Sequence, residues 1–91
     1  MGRGRAAPRS LIVLFAEGVA KGFAELPRDV QQRAAQSIEL ISAFPRMYPV
    51  RRRGLMRGYR YFIAGRFLFY YSVATAEIRV TAIIPAAMRR A

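Results

Sequence analysis

RFLFYYSV, residues 66–73, packs one arginine and four aromatic rings into eight positions. Two kinds of surface use such a mixture. Arginine interleaved with aromatic rings is how single-stranded nucleic acid is gripped, with rings stacking bases and cations holding phosphates. A strand that fills a core on one face has the same composition. The period separates the two. Phe67, Phe69, Tyr71 and Val73 recur at every second position and fall on one face, with Leu68, Tyr70 and Ser72 on the other. The stretch therefore reads as a strand whose Phe67 face lies under helices. Leu68 and Tyr70 are left as its candidates for a ligand surface.

Outward from this strand the same period continues. YRYFI (59–63) alternates Tyr59, Tyr61 and Ile63 with Arg60 and Phe62, and Ala64-Gly65 reads as the tight turn joining it to the next strand. After ATA, the segment EIRVTAII (77–84) alternates Ile78, Val80, Ala82 and Ile84 with Arg79, Thr81 and Ile83, and Pro85 ends it. Far upstream, SLIVLFA (10–16) is a continuous apolar run, the pattern of a strand buried on both faces. From Glu17 the period lengthens. Val19, Phe23 and Leu26 mark one side of a short helix ending at Pro27. Val30, Ala34, Ile38 and Ile41 mark a second helix, with Pro27 and Asp29 near its first turn and Phe44-Pro45 as its stop. The order is strand, helix, helix, strand, strand, strand. This predicts an α+β domain (β-α-α-β-β-β) in which a helical hairpin covers one face of a mostly antiparallel four-stranded sheet. Residues 10–91 form one domain. Residues 1–9, MGRGRAAPR, read as a disordered basic arm.

Composition narrows the chemistry. The 91 residues contain no cysteine and no histidine, which removes disulfides, zinc sites of the usual kinds and every nucleophile–histidine triad. No cofactor or metal is expected. The net charge is +11, placed unevenly: residues 1–45 carry six bases and four acids, residues 46–91 ten bases and one acid, Glu77. Such a field favours polyanions or an acidic protein partner. The longest pure apolar run, LIVLFA at 11–16, is far short of the about 20 residues a spanning helix needs. Glu17 also cuts it below the roughly 7–15 residues of a signal-peptide core. The expectation is a cytoplasmic protein without a membrane partner.

Taken in order, several segments resemble the RelE/ParE superfamily of type II toxin–antitoxin toxins. FAELPRDVQQRAAQSIELI (23–41, read around Leu26-Pro27) is similar to the family's helix pair, and a proline-bearing loop follows. GYRYFIAGRFLFYYSV (58–73) is similar to its strand hairpin and EIRVTAII to its last core strand, so that the resemblance spans residues 10–88. It implies the compact toxin fold of that family, a cognate antitoxin with an acidic amphipathic segment, and oligomers built through that antitoxin. It also implies one of two actions: inhibition of DNA gyrase, as in ParE-like members, or ribosome-dependent cleavage of messenger RNA, as in RelE-like members.

The RelE-like nuclease residues match poorly. Arg60 fits one basic position, but the neighbouring one falls on Phe62. The arginine of the second hairpin strand is replaced by Leu68, with Arg66 two positions earlier, and PAAMRRA (85–91) contains neither tyrosine nor histidine. Cutting RNA needs a base and an acid beside the charge stabilisation that arginine supplies. Arginine itself stays protonated at working pH. Arg60, Arg66 and Tyr70 are the catalytic candidates that remain, and the apolar FLFYY pattern points to the ParE-like branch. For contact with a target, RRRGLMRGYR supplies Arg51, Arg52, Arg53, Arg57 and Arg60, joined by Arg89 and Arg90 at the end of the chain. A basic nucleic-acid-binding module with no toxic activity is the reading from a different class.

Overall fold

The computed structural model describes residues 10–88. The basic arm expected at 1–9 and the candidate contacts Arg89 and Arg90 lie outside them. The chain runs β1 (Ile12–Phe15), α1 (Val19–Ala24), α2 (Arg28–Ala43), β2 (Arg60–Ala64), β3 (Phe67–Val73) and β4 (Glu77–Pro85), closed by a 3-10 turn at Ala86–Met88. One mixed sheet holds all four strands in the order β1-β4-β3-β2, with β1 parallel to β4 and the other pairs antiparallel.

The helices form where the apolar spacing demands. In α2, Val30, Ala34 and Ile41 are buried. Pro27, extended at φ −55° and ψ 146°, precedes the helix, where its missing N–H costs nothing. Phe44 leaves helical geometry at φ −132° because Pro45 follows it. The amide of Gln31 reaches back from α2 and donates to the carbonyls of Phe23 (2.9 Å) and Ala24 (3.0 Å), satisfying the end of α1. Both helices lie on the same side of the sheet. The side chains beneath them are Phe62 and Ala64 of β2, Phe69 and Tyr71 of β3, and Ile78 and Val80 of β4. A row of aromatic rings crosses this core: Phe15 meets Phe23 edge-on at 5.3 Å, Phe23 meets Phe69 at 6.3 Å, and Phe69 stacks on Phe62 at 4.8 Å. Pairs of this kind contribute about 0.5–1.5 kcal/mol beyond the area they bury.

Four sequence expectations are corrected. β1 is an edge strand, so it buries one face only. Val13 and Phe15 pack on the core while Ile12 is 64% and Leu14 40% exposed. The apolar run does not reveal this, because a hydrophobic edge and a hydrophobic centre look alike in sequence. β1 is instead held at its start by α2: Leu11 N–H donates to Ser42 O (2.9 Å) and Ser42 Oγ to Leu11 O (2.7 Å). In β4 the alternation reverses midway. Tyr71 pairs with Val80 but Tyr70 with Ala82, which leaves Thr81 as an extra residue, a β-bulge. Beyond it Ile83 joins the core, and Ala82 and Ile84 turn to the far face. The hairpin turn is Gly65-Arg66, one residue later than expected, because Ala64 pairs with Phe67. Gly65 holds φ +61° at the first central position, where two-residue hairpins of the II′ kind need glycine. Arg66 thus belongs to a turn and not to a strand face. Finally, Leu68 and Tyr70 are no ligand surface. They are 0% and 2% exposed, so the central strand is buried on both faces. Leu68 lies between Ile63 and Ile84, and Tyr70 between Tyr61 and Ala82.

No helix among the described residues is long and apolar enough to cross a membrane.

Candidate functional site

The three catalytic candidates are placed apart. Arg60 pairs with Tyr71 across the β2–β3 ladder and shares its face, the helix side. Tyr70, one residue away, points to the opposite side of the sheet. Arg66 sits in the turn at the other end of the hairpin, roughly 15 Å along the strand from Arg60 at about 3.3 Å per residue. No single phosphodiester can be reached by all three.

Arg60 has a different task. Its guanidinium donates to Tyr48 O at 2.7 Å and Arg46 O at 3.3 Å. The hydroxyl of Tyr71 beside it donates to Pro45 O at 2.8 Å. Together they fasten the chain that leaves α2 onto the end of the sheet. Burial pushes the Tyr71 hydroxyl up to about 12, against the opposing pull of the Arg60 charge and a hydrogen bond from the Tyr48 backbone. Near neutral pH it is a fixed donor and no base.

The remaining arginines are gathered by a feature the loop sequence conceals. Residues 49–61 double back on themselves along the free edge of β2. Arg51 N–H donates to Tyr59 O (2.7 Å), Gly58 N–H to Arg51 O (2.9 Å) and Tyr61 N–H to Pro49 O (3.2 Å), while Val50 bridges Arg60. The result is a short ribbon. Its tip turns at Gly54 and Gly58, whose φ angles of +83° and +94° are left-handed and suit glycine alone. Leu55 crowns it, 91% exposed. Arg51 is braced by its own Nε, which donates to Arg53 O at 3.1 Å. Among the described residues the sole ion pair joins Arg79 to Glu77 at 2.9 Å, on another strand. Arg52, Arg53 and Arg57 therefore stand in solvent and Arg51 is half-buried, none of them paired with a carboxylate of the described residues.

Between the ribbon and the sheet lies an open groove of about 400 Å³, lined by Pro49, Val50, Arg51, Arg52, Arg53 and Tyr61. The far-face side chain of Tyr61 forms one wall and leans on Tyr70, ring centroids 5.7 Å apart. Three of the five arginines named for the loop thus come together around one groove. Arg57 lies near the tip, and Arg60 is turned to the opposite face. Sequence reasoning missed Tyr61 as part of this surface. A signal was present: Gly54 and Gly58 bound a short GLMRG segment, with Pro49-Val50-Arg51 before it and Tyr59-Arg60-Tyr61 after it, a glycine-punctuated turn between two arms. Chemically the groove can hold anions and offer a ring face. Its lining contains no histidine, cysteine or carboxylate.

The chain matches no protein-family model and no curated protein.

Proposed function

We propose that this chain is the toxin component of a type II toxin–antitoxin pair, acting in the cytoplasm without cutting RNA, in the manner of ParE-like inhibitors of DNA gyrase. The toxin reading is supported by the β-α-α-β-β-β order and the helices on one sheet face, together with the sequence resemblance across residues 10–88. The RelE/ParE fold is part of the same proposal. The observation that carries the non-nucleolytic half is the placement of Arg60 and Tyr70 on opposite faces, with Tyr70 buried. General acid–base catalysis needs its groups within hydrogen-bond reach of one substrate.

The antitoxin is an acidic, amphipathic segment. It docks where the basic half meets the exposed apolar residues at and just beyond the end of α2, Leu40, Phe44 and Met47 beside Arg46. Each exposed arginine contact contributes about 0.2–1 kcal/mol, but the summed field steers association. Expression of the chain alone in a bacterium should arrest growth, and co-expression of the neighbouring gene should restore it. Normal growth at verified high expression would overturn the reading in favour of a non-toxic nucleic-acid-binding module, which the unpaired arginines of the ribbon favour as the second reading.

A further inference from the structure

We infer that the groove between the 49–61 ribbon and β2 is a binding site for single-stranded polynucleotide, in which Tyr61 stacks a base and Arg51, Arg52 and Arg53 hold the flanking phosphates. This goes beyond the toxin proposal and does not depend on it.

Three independent observations converge here. The first is charge. Three consecutive arginines line one groove, and no carboxylate among the described residues pairs with them. Arg51 is fixed by its Nε bond to Arg53 O, which leaves its terminal nitrogens to reach an anion. The second is the ring. Tyr61 is half-buried: its ring is tilted 42° against that of its cross-strand neighbour Tyr70, centroids 5.7 Å apart, and it lines the groove. An aromatic face beside guanidinium groups is the platform on which unpaired bases stack, and stacking tolerates any base because each has a π-face. The third is shape. The groove is open and about 400 Å³, room for a splayed nucleotide, whereas the bases of a duplex are already stacked on one another and offer Tyr61 no free face. Pro49 and Val50 complete an apolar floor that suits a base or sugar better than the side chain of an aspartate or glutamate. A purely acidic peptide would use the arginines and leave the ring without a partner, and the amphipathic antitoxin segment is drawn instead to the apolar patch at Leu40, Phe44 and Met47. The observations therefore favour polynucleotide over protein for this groove. The proposal is of binding alone: the lining contains no histidine, cysteine or carboxylate to pair with the arginines in acid–base work.

The shared chemistry, a base on a ring between two phosphates, occurs in RNA and in single-stranded DNA. The probes are fluorescein-labelled rU12 and dT12, a DNA hairpin duplex and polyglutamate, titrated with the full chain and read by anisotropy. The inference predicts binding of rU12, dT12 or both, with the hairpin duplex and polyglutamate weaker by about tenfold or more. Preference between rU12 and dT12 names the source. Tyr61→Leu should lower affinity by about tenfold, the scale of unstacking one base from a ring, and Tyr61→Phe should bind as the wild type does. Replacing Arg52 and Arg53 by serine should flatten the dependence of log affinity on log salt by about 0.7 for each phosphate no longer neutralised. Near-ultraviolet crosslinking of the same 12-mer carrying 5-bromouracil should attach it to the peptide containing residues 49–61, a readout that does not depend on any variant folding. Equal affinity for polyglutamate, unchanged binding by a folded Tyr61→Leu, or crosslinks confined to other peptides would each overturn the inference.

Discussion

The stretch from Arg66 through β3 and the 49–61 ribbon draw on the same materials, arginine and aromatic rings, and they end in opposite environments. In β3 the rings of Phe69, Tyr70 and Tyr71 are all buried, and the arginine that precedes it, Arg66, is expelled to the turn. In the ribbon Arg52 and Arg53 stand in solvent and Tyr61 is left half-open. Residue type does not decide between these outcomes; position in the sheet does. A central strand has neighbours on both sides that cover its flanks, so even its outward side chains are enclosed by Tyr61, Ile63, Ala82 and Ile84. An edge has neighbours on one side and keeps its polar groups for partners.

Leu68 puts this contrast at greatest risk. If the far face of β3 is core, Leu68→Ala should destabilise the protein by about 2–5 kcal/mol, as buried leucine truncations do. A loss of only a few tenths in a urea titration would return that face to the status of an open surface. The next effect down is at the turn. Gly65 carries φ +61°, and a β-carbon there would stand 2.8 Å from Cγ2 of Val30. Gly65→Ala should therefore cost about 1–2 kcal/mol or more, the penalty of a left-handed alanine plus the clash, visible as a lowered Tm.

Smaller again is the fastening of the ribbon's root. Tyr71→Phe removes the donor to Pro45 O and should cost about 0.5–1.5 kcal/mol. It also carries a pH signature. Because burial raises the folded-state pKa of Tyr71 to about 12 from an ordinary 10, its contribution is fully present below pH 10 and is lost as pH rises towards 12. The wild type should lose stability across that window more steeply than Tyr71→Phe, as measured by urea midpoints at about pH 9 and about pH 11.5. The smallest change belongs to the ribbon itself. Arg52→Ala and Arg53→Ala should each shift stability by less than about 0.5 kcal/mol, as exposed side chains without an ion pair do. Antitoxin association by these variants should nonetheless be slower at low salt and less sensitive to added salt. A wild-type rate that ignores salt altogether would contradict electrostatic steering of the proposed antitoxin by this basic field.

What the sequence reveals and what it hides follows from the range of the interactions. Local periodicity suffices for the existence of both helices, for the start of α2 after Pro27 and its stop at Phe44-Pro45, and for the Phe67–Val73 core face, whereas α1 ends at Ala24, short of the expected Pro27. The reversal within β4 is not readable, because Thr81 sits in an unbroken alternation and the bulge is imposed by its partner, β3. The exposure of Ile12 and Leu14 depends on strand order, which no local pattern encodes. The clustering of basic loop residues is evident, but its shape is hidden. Two prolines and two glycines in residues 45–58 suggest irregular chain, whereas the pairing of Pro49–Arg51 with Tyr59–Tyr61 is set by residues further apart. Tyr70 stands out for chemistry in the sequence because its neighbour Tyr71 claims the core. That both are enclosed becomes plain only once β3 is known to lie at the centre.

The non-nucleolytic mechanism is tested by mapping messenger RNA 5′ ends after inducing the wild type and Tyr70→Phe, with growth followed in parallel. A toxin that spares RNA arrests growth in both cases and leaves no new messenger ends phased to the ribosomal A site in either. A-site cleavage by the wild type that Tyr70→Phe reduces about a hundredfold, the scale of a lost acid–base group, would contradict that mechanism and identify Tyr70 as catalytic despite its burial.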